Sequence, residues 1–416
     1  MLILFAAALA CVDCHKTIVQ AYARTPMANT SGPVTAAKER GGSVGKLRVV
    51  ASEVLHLEFP RGIVDLNFFI GSRRMGRSYA FLHQNHMYQA PIGFYPLRQK
   101  WDFAPGYERD VQPDFSRPIS ADCLFCHATR ASLAAGTVNR YERIEHGIQC
   151  ARCHGESGTH DKLVNPAKLA PRARDSICEQ CHLAGEARLE QPGKRLENFR
   201  PGQDLADYLE VLIGAPRGLR VNSHSEALAL SRCKQPSGDK LWCGMCHNPH
   251  ARTDANAVCS SCHAKPHQPG NCVGCHMAKS RPSDGGHTVF TNHTIGRGKE
   301  SRALSSYFGR KLSARNLGIG LAQQAARDHD ADALQLAWPL LRQAAQGEPN
   351  DPLLHSAIAG LLAASGRKQQ AIEYYRLSLK QNPLQPDVLR KLAMLVERDE
   401  AARLRSQALE ILPVPR

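Results

Sequence analysis

Seven pentapeptides of the form Cys-x-x-Cys-His carry the chemistry this chain can do. They run Cys11 to His15, Cys123 to His127, Cys150 to His154, Cys178 to His182, Cys243 to His247, Cys259 to His263 and Cys272 to His276. Two thiols separated by two residues can form thioethers to the two vinyl groups of one haem, and the next histidine is then held beneath the iron as proximal ligand. The thioether positions are Cys11, Cys14, Cys123, Cys126, Cys150, Cys153, Cys178, Cys181, Cys243, Cys246, Cys259, Cys262, Cys272 and Cys275. The proximal imidazoles are His15, His127, His154, His182, His247, His263 and His276. Zinc ribbons, redox dithiols and disulfide frameworks also use paired cysteines, but none of them needs a histidine after the second cysteine every time. Seven covalent c-type haems are therefore expected. Of the 15 cysteines, the motifs leave Cys233, whose default reading is an inert buried thiol.

What a haem does is set by its sixth coordination position, since a second strong ligand makes an electron carrier and an open site permits chemistry. Of 19 histidines, 12 are not proximal. His329 and His355 fall in a cysteine-free tail. His146, His160, His224, His250, His267 and His293 are expected as distal ligands, with His287 as a further candidate. His56, His83 and His86 are more easily read as ordinary polar histidines. In the segment from His146 to His160 a histidine flanks the third motif on each side, too close to cap its own distal face. His250 and His267 follow a proximal histidine by three or four residues with proline just before, which aims each ring away from its own haem.

The elements that must position these groups fall into three stretches. Residues 1–10 (MLILFAAALA) resemble the end of a signal peptide, and no other run reaches transmembrane length. Covalent haem attachment takes place outside the cytoplasm, so a periplasmic, extracellular or cell-surface protein is expected. Residues 11–300 form the haem region, with 38 residues per haem between Cys11 and His276. Its first gap, from Lys16 to Asp122, holds a β-rich insert at about 45–105. Alternation marks Leu47 to Phe59, Leu66 to Ile70, Arg77 to Leu82 and Met87 to Ala90. The remaining motifs follow quickly, leaving room for little beyond short helices that carry them, with one longer helix expected around Asp204 to Leu212. The expected class is mostly α, with long irregular segments wrapped around haems, a small antiparallel β insert and a C-terminal α-solenoid.

Residues 301–416 lack cysteine and repeat at 34 residues: Ala325, Ala337 and Pro349 recur as Ala359, Ala371 and Pro383, with Gly366 and Tyr375 between. Ala401, Ala408 and Pro413 continue a shortened third unit. This tail resembles tetratricopeptide repeats and suits protein contact.

The formal charge of +15 would ordinarily suggest nucleic acid or an anionic surface. Haem changes the arithmetic: each ferric bis-histidine haem carries about −1 and each ferrous one about −2, so seven bring the total to roughly +8 oxidised and roughly +1 reduced. Most basic residues are then propionate partners, and no nucleic-acid site is expected.

The haem region as a whole resembles the multihaem cytochromes c related to the tetrahaem cytochrome of nitrifying bacteria, and bacterial multihaem cytochromes fused to tetratricopeptide repeats. The resemblance is carried by CVDCHKTIVQAYARTPMA at Cys11, FIGSRRMGRSY at Phe69, CLFCHA at Cys123, the stretch Gly147 to His160, SRCKQPSGDKLWCGMCHNPH at Ser231, CHMAKS at Cys275 and NHTI at His293. It implies bis-histidine haems in closely spaced stacked and perpendicular pairs. Where the nitrifier-type proteins have a histidine twelve residues after the first proximal ligand, this chain has Met27, a candidate distal ligand that would raise the potential of its haem.

Electron transfer along a haem chain is the leading expectation, with the tail docking a redox partner protein or assembling the chain with itself. A multihaem oxidoreductase acting on a small nitrogen or sulfur oxyanion at one open haem, with His83, His86, Arg73, Arg74 and Arg77 forming the pocket, is the first alternative, although propionate pairing or a solvated strand is the preferred account of those arginines. A subunit of a conducting filament is the second.

Overall fold

A computed structural model describes residues 6–108, 113–156, 163–214, 218–264, 270–296 and 303–415. The first motif lies on α1 (Ala6–Tyr22), which is kinked at His15 (φ −114°, ψ 33°). There follow β1 (Ser31–Pro33), β2 (Gly42–Val44), β3 (Leu47–Ala51), β4 (Leu55–Phe59), β5 (Gly62–Asp65), β6 (Phe68–Ile70), β7 (Arg77–His83), β8 (His86–Tyr95) and β9 (Lys100–Phe103).

These nine strands make two antiparallel sheets, ordered β2-β3-β4-β5 and β1-β6-β7-β8-β9. The insert is thus larger than one small sheet, beginning near residue 31. Alternation on β3 and β4 turns Leu47, Val49, Leu55 and Leu57 inward, where they share a core with Tyr79, Phe81, Tyr88, Ile92 and Trp101 of the second sheet. Gln84 and Asn85, at φ 50° and 63°, form the two-residue turn that matches strand twist and sets His83 opposite His86. Gly42 lets the Trp101 indole lie on the backbone, since a Cβ there would sit 2.3 Å from its Cδ1.

Beyond the insert, α2 (Ala121–His127) carries the second motif and runs straight into the hairpin β10 (Ala128–Leu133) and β11 (Tyr141–His146), which delivers the chain to the third motif on α3 (Ala151–His154). The fourth motif ends α4 (Pro171–His182), a helix opened by proline at its first position. Strands β12 (Ala187–Glu190) and β13 (Leu209–Ile213) follow.

The helix expected at Asp204 to Leu212 is absent. Asp204 instead caps a single 3-10 turn at Leu205–Asp207, its side chain accepting from Ala206 N at 3.0 Å. Next, LEVLI pairs with β12 as an almost wholly buried strand. A short apolar run buried on both faces has no helical periodicity to preserve, and Leu, Val and Ile fit the pleat.

Short α5 (His224–Ala229) and α6 (Lys234–Ser237) lead to the last three motifs on α7 (Cys243–Cys246), α8 (Ala255–Cys262) and α9 (Cys272–His276). The strand pair β14 (Lys279–Ser280) and β15 (Phe290–Thr291) closes this segment, and β16 (Ser305–Ser306) adds a third strand beside β13. The architecture is therefore mixed α/β with several small antiparallel sheets, rather than mostly α. Local strand pairs satisfy backbone polar groups that a haem-wrapped irregular chain would leave unpaired.

The tail forms three helical hairpins: α10 (Ala314–Asp328) with α11 (Ala331–Gly347), α12 (Pro352–Ala364) with α13 (Lys368–Gln381), and α14 (Pro386–Ala393) with α15 (Arg398–Ile411). Ala337, Ala359 and Ala371 are fully buried, as their repeat positions require. The tail is sewn to the haem region at both ends. Leu212 of β13 lies in the same apolar core as Ile319 and Leu341, and Arg315 donates to Glu190 O at 2.9 Å. At the far end Leu412 joins the core of the β insert, and Tyr88 Oη donates to Pro413 O. Among the described residues no helix is long and apolar enough to cross a membrane.

Candidate haem-binding site

All fourteen motif cysteines are free thiols on helices or helical turns, and they approach one another across motifs. Cys11 lies beside Cys150, Cys126 beside Cys181, and Cys178 beside Cys243. Cys153 lies within electrostatic reach of Cys181, Cys246 of Cys259, and Cys259 of Cys272. Traced through these contacts, the motifs form a string in the order first, third, fourth, fifth, sixth and seventh, with the second joining at the fourth.

Imidazoles from remote elements meet in pairs. The rings of His154 and His250 are 5.9 Å apart at 12°, those of His247 and His293 are 6.1 Å apart at 34°, and those of His182 and His224 are 5.2 Å apart at 88°. Two imidazoles on opposite faces of one metal, each about 2 Å from it, have ring centres about 6 Å apart. The first two pairs match that separation and the third is tighter. His224 also contacts His293 at 4.8 Å.

Second partners aim several rings. His154 Nδ1 meets Val164 O at 2.9 Å, His293 Nδ1 meets Thr291 O at 3.0 Å, and His127 Nδ1 meets Thr30 Oγ1 at 2.7 Å. Each leaves the opposite nitrogen for a metal.

Burial, reinforced by neighbouring imidazoles, pushes His182 down to about 4 and His224 down to about 3. Burial also lowers His127, His146, His247, His250 and His293. All of these stay neutral at pH 7, the state in which imidazole binds a metal. His224 Nδ1 is buried with no hydrogen-bond partner among the described residues. Free thiol pairs, neutral imidazoles and this orphaned nitrogen fit covalent haem, whose iron supplies the redox chemistry when bound.

The other expected positions divide. His146 stacks on Phe68 at 5.6 Å, with Nδ1 3.3 Å from Ser31 Oγ, beside the second motif whose His127 O accepts from the same hydroxyl. Gly147 follows at φ 68°, and a Cβ there would lie 2.1 Å from Ala28 O, so the Met27–Ala28 turn presses on this strand. Met27 itself is half-buried, its carbonyl accepting from Ile148 N at 3.0 Å. His15, His263 and His276 are exposed. His287 Nε2 lies 3.2 Å from Asp102 Oδ2 and its ring packs edge-on to Tyr95, a setting in the β insert rather than beside a motif. His160 and His267 lie outside the described residues.

His86 is a core residue bonded to Asn139 Oδ1 at 2.7 Å, and His56 faces Asp65 at 3.6 Å. Arg77 and Arg73 converge on the buried Glu39 at 2.8 and 3.6 Å, and Tyr79 donates to the same carboxylate at 2.7 Å. Arg73 and Arg77 thus share one buried carboxylate.

Sequence reasoning passed over the residues inside the motifs. Arg152 donates to Phe125 O at 2.9 Å, and Gln180 Nε2 reaches Arg152 O at 3.4 Å, so three motifs interlock through their variable positions. No spacing rule marks them.

The family model for cytochrome c554 and c-prime matches residues 103–155, which include the second and third motifs and the hairpin between them. The multiheme cytochrome MtrA of Shewanella baltica (strain OS185) is 26% identical over 171 residues, covering 33% of this chain and 49% of its own. The chain thus spans about half the length of that curated relative. Among solved structures, the outer cell wall cytochrome OcwA aligns over 97% of this chain and 99% of its own at 14% identity, with a TM-score of 0.44. MamA AMB-1 aligns over 23% of this chain and 51% of its own at 25% identity, with a TM-score of 0.18. Over the stretches these two sequence matches cover, the chain is similar to multihaem cytochromes.

Proposed function

We propose that this chain is an electron carrier with seven covalent haems, one on each motif, exported to the periplasm or cell surface. The observation that carries the reading is the pairing of proximal His154, His182 and His247 with His250, His224 and His293, each partner drawn from a different segment. A second imidazole at the sixth position leaves no coordination site for a substrate and keeps iron low-spin in both oxidation states, which suits electron transfer. The string of motifs supports hopping from the first to the seventh with an entry at the second. The tail is proposed as tetratricopeptide-like, and exposed Leu336, Leu377, Leu409 and Met394 support docking of a redox partner protein.

The test is haem stoichiometry by mass spectrometry of the intact exported chain, followed by low-temperature EPR of the fully ferric form. Seven haems, all low-spin, are expected. One high-spin centre that persists on dilution and concentration would move the assignment to an enzyme; one that disappears on concentration would move it to a filament subunit completed across an interface.

A further inference from the structure

We propose that Arg152 tunes a three-way haem junction: its cation, lodged among the second, third and fourth motifs, raises the reduction potentials of the haems they hold, so that electrons collect there. The inference rests on the cytochrome reading above.

Arg152 is the residue before the second cysteine of the third motif; Phe125 and Gln180 hold the same place in the second and fourth. Its guanidinium donates to Phe125 O at 2.9 Å and lies 3.9 Å from the centre of the Phe125 ring, while its own carbonyl faces Gln180 Nε2. Gln180 is 2% exposed, so the contact is internal.

The side chain meets all three motifs: it belongs to the third, its guanidinium bonds a carbonyl of the second, and Gln180 of the fourth lines the same small cleft. No carboxylate pairs with Arg152 among the described residues, and its Nε is buried without a partner. An unneutralised cation in a low-dielectric setting favours whichever state of a neighbour is more negative, and a haem gains one negative charge on reduction. Arg188 of β12 is a second cation nearby, donating to Gln180 O of the fourth motif at 3.1 Å. Arg152 is common to all three motifs.

The experiment is a spectroelectrochemical titration of the holoprotein, after its haem content and low-spin EPR signals have been verified. A unit charge about 10 Å away in an effective dielectric of about 20 changes a one-electron equilibrium on the order of tenfold, or about 59 mV. Arg152→Gln should lower up to three couples, the nearest by about that amount, with haem content unchanged. Arg152→Lys keeps the charge but loses the planar fork, and its couples should stay within about twofold of the parent. Equal shifts in the Lys and Gln variants, or superimposable curves for all three proteins, would overturn the proposal and leave Arg152 a packing residue. Should Arg152→Gln fail to load haem, Ala151→Glu sets a carboxylate beside the guanidinium in the small cleft both residues line. It should lower the same couples, and unchanged couples there would overturn the proposal equally. A parent chain without covalent haem would refute the cytochrome reading itself.

Discussion

Replacing Asp351 by alanine should loosen the tail from the haem region, and the structure sets the size of the effect. Asp351 does two jobs at once. Its Oδ1 caps α12 by accepting from Leu354 N at 3.0 Å, and its Oδ2 is the counterion of Arg315, whose side chain is 4% exposed against 6% for Asp351. Arg315 also donates to Glu190 O at 2.9 Å and Asn316 Oδ1 at 2.8 Å, so it pins α10 to β12 and cannot swing out to water. Losing a cap is worth about 1 kcal/mol. Leaving a buried cation without its partner costs about 3–5 kcal/mol. Glu348, with Oε2 3.6 Å from Arg315 Nε, is raised by burial and can take over part of the charge, which places the total near the low end. About 3 kcal/mol is expected, equivalent to exchange on the order of 100-fold faster at amides of α10 to α13 if they open as one unit. Hydrogen exchange of the holoprotein, read by mass spectrometry, measures this directly. The double variant Arg315→Met, Asp351→Leu should recover much of the protection, because the buried charge is gone with its partner. A loss under about 1 kcal/mol, or a double variant as labile as Asp351→Ala, would refute the reasoning.

Further outcomes follow from other sites. His224→Ala should convert one low-spin ferric centre to high-spin in the EPR spectrum without loss of covalent haem; an unchanged spectrum would remove His224 from the ligand set. Gly147→Ala places a methyl against Ala28 O at positive φ and should destabilise the protein by about 1–3 kcal/mol, seen as a lower melting temperature. Glu210 is raised above its ordinary value near 4.5 by burial, opposed by hydrogen bonds from Ser306 and Val211. The folded state therefore holds that proton more tightly than the unfolded one, and this contribution to stability is full below about pH 4.5 and is lost as pH rises through the raised value. Glu210→Gln should flatten that fall, checked by melting curves between pH 4 and 8.

The motifs were legible because covalent attachment demands neighbours in sequence: two thiols and an imidazole must reach one ring. Distal ligands obey no such rule. His250 meets His154 and His293 meets His247 through tertiary packing, and the local cue at His250, a proline that turns the ring from its own motif, told where it would not go. His287 and His293 were both candidates, six residues apart, yet Asp102 holds one and Thr291 O aims the other. In the β insert, alternation revealed β3, β4, β7 and β8, but β1 (SGP) and β2 (GSV) are too short and too rich in turn residues to show a period. The strand at Leu209–Ile213 was hidden because its pairing partner lies nearly twenty residues upstream and both faces are covered. The 34-residue repeat stood out, since small residues recur wherever helices cross closely.

The stitch between Tyr88 and Pro413 joins residues 325 positions apart. The sandwich made from residues 31–103 therefore waits, with a gap where Leu412 belongs, until the chain has been synthesised through that residue. Contacts so distant in sequence form late and slowly. All seven motifs precede this closing contact in the chain, so the molecule can close only after every one of them has been made.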